Sequence, residues 1–179
     1  MKRKIYDQLL QWKNEKNGTT ALMIEGARRI GKSYIVEKFA ENEYESYILI
    51  DFSKAPARVR GWFDEYLEDI DTLLQNIQLH YKKKLTPRKS LIIFDEVQKC
   101  PRAREAIKAL VEDHRFDYIE TGSLISIKKN VDDILIPSEE DGIEMYPMDF
   151  EEFMWAMGDE VMYPYIRKCF ETNKPMGDF

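Results

Sequence analysis

Residues 26–33 combine side chains and a spacing that suit the binding of a phosphate group. They read Gly-Ala-Arg-Arg-Ile-Gly-Lys-Ser, which matches a phosphate-binding loop: glycine, four residues, then glycine, lysine and serine or threonine. The two glycines let backbone N–H groups wrap an anion without obstruction by side chains. Lys32 would supply a positive charge to the β- and γ-phosphates of a nucleotide, and the Ser33 hydroxyl would reach Mg²⁺.

The segments on either side of this loop support the same interpretation. Residues 19–26 form a short apolar run, and residues 32–42 place apolar side chains on one helical stripe. A strand therefore leads into the loop and a helix leads out of it, with its N-terminal dipole directed at the anion. Of Arg28 and Arg29, only one is expected to approach the nucleotide. The predicted binding positions are consecutive: Gly26, Ala27, Arg28, Arg29, Ile30, Gly31, Lys32, Ser33 and Tyr34.

An acidic pair in a second apolar run is the next candidate. Asp95 and Glu96 lie within residues 90–98, which are predicted to form a strand. Ligands of α/β sheets bind outside the carboxyl ends of the strands, so both carboxylates are expected beside the phosphate-binding loop. We predict that Asp95 binds Mg²⁺, directly or through a water, and that Glu96 is the general base that activates the attacking water. A glutamate in this place favours hydrolysis over phosphate transfer to a small acceptor.

A third candidate is the sequence Thr121-Gly122-Ser123, which ends the predicted strand at residues 116–123. If this strand lies between the two motif strands, its polar end faces the γ-phosphate, in the way that a sensor residue does. Thr121 and Ser123 are then both candidates for orienting the catalytic water, and the sequence does not choose between them. A plain strand-ending turn of small polar residues is the alternative.

The elements that must position these residues can be predicted from periodicity. The predicted strands are residues 19–26, 45–53, 90–98, 116–123 and 143–150. The predicted helices are residues 4–16, 32–42, 62–81 and 101–112. Continuous apolar strands that alternate with helices indicate a mainly parallel sheet covered on both faces. We therefore predict a doubly wound α/β fold with the strand order 5-1-4-3-2, the arrangement of P-loop NTPases with a catalytic glutamate.

The composition excludes several other classes of protein. The chain of 179 residues is 44% apolar and 34% charged, as expected of one domain. Its net charge of −6 argues against nucleic acid as the main ligand. The apolar runs are too short for a membrane span, and the N-terminus lacks the features of a signal peptide. Cys100 and Cys169 are far apart and lack zinc-site spacing. A soluble, cytoplasmic protein is expected.

Several segments together carry a resemblance to a known family. They are IEGARRIGKS, IDFSKA, SLIIFDEVQ, YIETGSLIS and MYPMDFEEF. They resemble the AAA+-type ATPase domain of a large prokaryotic group of ATP-binding proteins, in which a C-terminal domain of unknown function follows. The resemblance covers residues 5–179 and implies ATP as the nucleotide, with the Thr-Gly-Ser sequence in the sensor position. On this basis we expect a P-loop ATPase domain at residues 1–150. Residues 151–179 would begin a C-terminal helical region that is truncated here.

The sequence departs from the AAA+ pattern in one respect. AAA+ ATPases usually present an arginine to the nucleotide of a neighbouring subunit from the region after the sensor strand. Residues 123–143 contain Lys128 and Lys129 but no arginine. The arginine finger is therefore unassigned, and self-association is left open. We expect slow turnover by the chain alone, since such an arginine contributes about 10³–10⁵ in rate.

The sequence thus predicts a Mg²⁺-dependent ATPase module that drives or switches an attached C-terminal domain or a partner. Three alternatives stay open. The first is a nucleotide-gated switch that binds ATP with little hydrolysis. The second is a DNA-stimulated ATPase that uses the basic residues between positions 82 and 89, which the acidic net charge disfavours. The third is a nucleotide kinase, which the catalytic glutamate and the lack of an arginine-rich lid disfavour.

Overall fold

The computed structural model describes residues 2–123 and 139–177. Within them, parallel strands form one sheet of five in the order β2-β3-β4-β1-β5. The strands are β1 (Ala21–Gly26), β2 (Ser46–Asp51), β3 (Ser90–Asp95), β4 (Asp117–Ser123) and β5 (Glu140–Met145). This order is the predicted 5-1-4-3-2 read from the opposite edge, so the predicted doubly wound α/β fold is confirmed.

Helices cover both faces of the sheet. Those in the described residues are α1 (Ile5–Lys16), α2 (Lys32–Glu43), α3 (Ala57–Glu65), α4 (Ile70–Tyr81), α5 (Pro101–Glu105), α6 (Ile107–Asp113), α7 (Phe150–Ala156) and α8 (Met162–Glu171). Helices α1 and α2 contribute to one apolar core, and α3 to α6 contribute to a second. The two cores lie on opposite faces of the same sheet.

The alternation of side chains in the central strands decides which groups reach each face. Both β3 and β4 are buried along their whole length, and successive side chains of a strand point to opposite faces. Ile93 and Ile119 belong to the core under α1 and α2, whereas Phe94 and Tyr118 belong to the core under α3 to α6. Residues two positions further along each strand lie on the same face, so Asp95 and Thr121 share the α1–α2 face.

The predicted helix at residues 62–81 is wrong, because two helices occupy this region. Helix α3 ends near Tyr66, and α4 starts after Asp69. The Asp69 carboxylate accepts the Thr72 N–H at 3.1 Å, which is the usual role of aspartate at a helix N-cap. The predicted helix at 101–112 is also divided, into α5 and α6 on either side of Ala106.

The fifth strand lies earlier than residues 143–150. It spans Glu140–Met145 and pairs with β1 at the edge of the sheet. Its first residues are polar, so hydropathy gave no sign of them. The chain then turns into α7, whose N-cap Asp149 accepts the Glu152 N–H at 2.9 Å in a capping box. The domain boundary at residue 150 stays a prediction.

Candidate functional site

The phosphate-binding motif forms the connection between β1 and α2, at the carboxyl edge of the sheet. At both of its glycines, the local structure disfavours any residue with a side chain. A Cβ atom on Gly26 would lie 2.3 Å from the Met145 carbonyl oxygen of β5, so a side chain does not fit there. Gly31 has a φ of 95°, a conformation that side chains disfavour. The loop therefore has a close approach to β5 at Gly26 and a left-handed turn at Gly31, both of which a side chain would oppose.

Lys32 lies inside this loop. Its side chain is 6% exposed, and its Nζ donates to the carbonyl oxygens of Gly26 at 3.1 Å and Ala27 at 2.7 Å. Burial lowers the pKa of Lys32 from its ordinary value, while the carboxylates of Glu96 and Asp95 act in the opposite direction. A buried ammonium group thus lies between the phosphate-binding loop and the acidic pair.

Asp95 joins the two sequence motifs. Its Oδ1 accepts a hydrogen bond from the Ser33 hydroxyl at 2.7 Å and another from the Thr121 hydroxyl at 2.5 Å. The Asp95 side chain is almost completely buried, so these donors replace water around the carboxylate. A serine hydroxyl beside a carboxylate offers the oxygen ligands that Mg²⁺ prefers. The residues present therefore fit the predicted metal site.

Glu96 has an unusual backbone at the point where β3 ends. Its φ of 55° and ψ of 45° are left-handed, a conformation that costs a non-glycine residue on the order of 1 kcal/mol and is common at functional sites. Its N–H donates to Thr121 Oγ1 at 3.2 Å, and its Oε2 accepts from Gln98 Nε2 at 2.5 Å. Two polar contacts thus hold Glu96 beside Asp95 in a half-buried position.

The two sensor candidates have different surroundings. Strand β4 lies between β3 and β1, as the sensor interpretation requires, and both side chains are buried. The Thr121 hydroxyl donates to Asp95 and accepts from the Glu96 N–H, so it fixes the two acids relative to each other. Ser123 is paired with Gly26 in the register of β1 and β4, at the start of the loop. A role for either residue in orienting water stays a prediction.

The other predicted binding positions lie toward solvent. Ala27, Arg28 and Arg29 are exposed, Ile30 is half-buried, and Tyr34 is exposed on the first turn of α2. The positive charge of Arg28 is close enough to lower the pKa of Lys32 further. Which of Arg28 and Arg29 approaches a nucleotide stays a prediction.

Arg3 contacts the loop but was not among the predicted residues. It is buried, and its Nη1 donates to the Ile30 carbonyl oxygen at 3.0 Å. In the sequence, Arg3 belongs to the basic segment at residues 2–4, where the spacing does not distinguish it from the two lysines beside it. Its role depends on a contact between residues that are 27 positions apart.

These features define an α/β nucleotide-binding domain, and the comparison with known families agrees. The pattern of a family described as an AAA domain matches residues 18–154, and the chain belongs to this family. It is therefore a nucleotide-binding, ATPase-like domain.

Comparisons with individual proteins add little to this assignment. The structure of C. elegans PCH-2 is similar with a TM-score of 0.40 and 16% sequence identity, over 94% of this chain and 44% of that chain. The chain thus spans less than half of PCH-2. A comparison with curated proteins finds none that match. In residues 2–123 and 139–177, helices long and apolar enough to cross a membrane are absent.

Proposed function

We propose that the chain is a Mg²⁺-dependent ATPase module that drives or switches an attached C-terminal domain or a partner. The observation that carries this proposal is the 2.7 Å hydrogen bond between the Ser33 hydroxyl and the Asp95 carboxylate. It joins the phosphate-binding loop to the acidic strand end, beside the buried ammonium of Lys32. In this proposal, phosphate and metal ion would therefore bind next to each other.

Each group would have a distinct task in ATP binding. Backbone N–H groups of the loop and the N-terminus of α2 would bind phosphate oxygens, and Lys32 would neutralise the β- and γ-phosphates. Ser33 and Asp95 would hold Mg²⁺, which stabilises negative charge on the phosphates when bound. Because Lys32 is buried, its charge acts with little screening by water.

Hydrolysis would proceed by in-line attack of water on the γ-phosphorus. Glu96 would accept a proton from the water as its oxygen bonds to phosphorus, and the bond to the β-γ bridging oxygen would break to leave ADP and phosphate. Gln98 and Thr121 support this role, because one contacts the Glu96 carboxylate and the other fixes its backbone N–H. Lys32 and the loop N–H groups would stabilise the charge that develops in the transition state.

A cleft next to the loop suits the nucleotide base. It has a volume of about 230 Å³ and lies between the N-terminal segment and the end of β5. Ile5, Gln8, Met145, Tyr146 and Pro147 form half of its lining, and the charged residues Arg3, Lys4, Glu144, Asp149 and Glu152 form the other half. The apolar and aromatic groups would contact the faces of a base, and the polar groups would hydrogen-bond to its edge. We propose that the adenine ring occupies this cleft.

The structure offers little support for a DNA-stimulated ATPase. Two basic residues of the 82–89 segment are already engaged in ion pairs within the domain. Arg88 lies 2.8 Å from Asp117, and Lys89 lies 2.7 Å from Glu45. Because these cations are matched by carboxylates, the segment has less positive charge available for a DNA backbone.

The experiment that tests the proposal is a calorimetric titration of the chain with Mg·ATP and Mg·GTP. We expect Mg·ATP to bind, and the variant Lys32→Ala to bind at least about 100-fold more weakly, since losing a buried charge partner costs about 3 kcal/mol or more. Lys38→Ala is the matched control, because Lys38 is an exposed lysine on the same helix. Unchanged binding in a folded Lys32→Ala variant would contradict the proposal.

A further inference from the structure

Arg3 lies outside the phosphate-binding loop but joins it to two other segments. Its side chain is 4% exposed, and Nη1 donates to the Ile30 carbonyl oxygen at 3.0 Å. Nη2 donates to the Tyr146 carbonyl oxygen at 2.9 Å, just after β5. One planar guanidinium thus connects the N-terminal segment, the loop and the end of an edge strand.

A buried carboxylate holds this guanidinium in place. Arg3 Nε forms an ion pair with Glu152 Oε1 on the first turn of α7 at 3.1 Å, although within the described structure this N–H is not aligned for a hydrogen bond. The Glu152 carboxylate also accepts the N–H groups of Lys4 at 2.7 Å and Asp149 at 3.2 Å. Because Glu152 is itself fixed by these donors and by burial, Arg3 has a defined position from which to contact the loop.

The contact with Ile30 determines the direction of the next N–H group. In a planar trans peptide, the C=O and N–H bonds point in opposite directions. A donor that holds the Ile30 carbonyl therefore also directs the Gly31 N–H away from Arg3. Gly31 lacks a side chain and has a φ of 95°, so its own sterics leave the peptide free to rotate. An external contact is needed to fix the direction of this N–H.

We infer that Arg3 is a positioning residue of the nucleotide site, which presents the Gly31 N–H to a phosphate oxygen. The inference rests on the proposed binding of ATP. Arginine suits this role because its planar fork donates to two carbonyl oxygens while its charge pairs with a carboxylate. A lysine ammonium keeps the charge but lacks the fork, so charge and geometry can be separated by substitution.

The test compares Arg3→Lys and Arg3→Gln with the wild-type chain by calorimetric titration with Mg·ATP and Mg·ADP. We expect both variants to bind each nucleotide about 10- to 100-fold more weakly, the effect of losing one aligned hydrogen bond to a charged group. Similar losses in the lysine and glutamine variants would show that geometry, rather than long-range attraction between charges, carries the effect.

Arg104→Gln is the matched control. Arg104 is another buried arginine, and its Nη2 lies 2.8 Å from Glu140 at the amino end of β5. Among the described residues, its side-chain hydrogen bonds go to Glu140 and not to residues 26–34. We expect Arg3→Gln and Arg104→Gln to lower the Tm, and only the Arg3 variants to raise the Kd for nucleotide. A Kd that rises equally in Arg104→Gln would reduce the role of Arg3 to general stability and overturn the inference.

The outcomes separate this inference from the proposed function. A wild-type chain that binds no nucleotide overturns both of them. A wild-type chain that binds Mg·ATP, with Arg3 variants of equal affinity, overturns the inference alone. If the Arg3 variants do not fold, the amide resonance of Gly31 in the wild-type chain decides by NMR. We expect it to shift when Mg·ATP is added, and an unchanged resonance would overturn the inference.

Discussion

Two buried acidic clusters in this domain contain the same functional group in opposite surroundings. At the carboxyl edge of the sheet, Asp95 accepts hydrogen bonds from two hydroxyls, those of Ser33 and Thr121. On the opposite face, Glu120 of β4 is completely buried, and within the described structure neither of its oxygens accepts a hydrogen bond. Its neighbour is a second carboxylate, Glu140.

The difference shows that two successive residues of β4, Glu120 and Thr121, can have different roles on opposite faces of the sheet. A buried carboxylate keeps its charge when donors surround it, and favours its neutral form when they are missing. Burial raises the pKa of Glu120 well above its ordinary value, and Glu140 raises it further, while Arg104 acts in the opposite direction. Glu120 is thus arranged as a neutral member of the core, whereas Asp95 has two hydroxyl donors and is the carboxylate that we propose to bind Mg²⁺. Thr121, the next residue of β4, lies on the face of Asp95.

Among these substitutions, that of Glu96 is expected to have the largest effect on turnover at the proposed nucleotide site. In Glu96→Gln, turnover should fall by about 10²–10⁴, because the general base is lost while the side chain keeps its shape. Binding of Mg·ATP should be retained. Steady-state phosphate release and calorimetric titration measure the two properties, with the exposed Glu68→Gln as the control. Unchanged turnover would instead favour a nucleotide-gated switch that seldom hydrolyses ATP.

Thr121→Val is expected to have an intermediate effect. The variant removes the hydroxyl that donates to Asp95 and accepts from the Glu96 N–H, with almost no change in shape. We expect turnover to fall about tenfold, since a hydrogen bond to a charged group contributes about 1.5 kcal/mol or more, and a higher Mg²⁺ concentration to be required.

The matched control for this variant is Thr121→Ser, which keeps the hydroxyl and should retain most of the turnover. Measurement of phosphate release over a range of Mg²⁺ concentrations distinguishes the two variants. Equal turnover in Thr121→Val and the wild-type chain would mean that the alignment of the acids does not depend on this hydroxyl.

The sequence predicts the cluster around Asp95 much better than the cluster around Glu120. The loop and the acidic pair are local patterns, and chain order places both at the carboxyl edge of a parallel sheet. The strand order followed from the same patterns. Thr121 was predicted to be near the nucleotide, but its contacts with Asp95 and Glu96 could be seen only in three dimensions.

No comparable local pattern in the sequence pointed to the Glu120 cluster. Glu120 is one acid at the end of an apolar run, and its surroundings depend on how β4 and β5 are placed about β1. Arg104, which pairs with Glu140 at 2.8 Å, comes from a short helix that was predicted only as part of a longer one. Contacts between distant segments leave no fixed spacing in a sequence. The same reason explains why Arg3 was missed.

Glu120→Gln is expected to have the smallest effect on nucleotide binding and turnover, and it tests the Glu120 cluster through its stability. An unfolded glutamate ionises near pH 4.3, whereas burial raises the pKa of Glu120 in the folded chain. Between these two pKa values the folded state binds more protons than the unfolded state. The stability of the wild-type chain should therefore fall, as pH rises through this window, by about 1.4 kcal/mol per pH unit for one proton.

Glutamine does not titrate, so the stability of Glu120→Gln relative to the wild-type chain should increase with pH over the same window. Urea unfolding between about pH 5 and pH 8 measures this difference, with Glu112→Gln on the exposed side of α6 as the control. Affinity for Mg·ATP should not change in Glu120→Gln, because Glu120 faces away from Asp95. A constant difference in stability across the pH range would mean that Glu120 is ionised in the fold. The contrast between the two acidic clusters would then be one of position and not of charge.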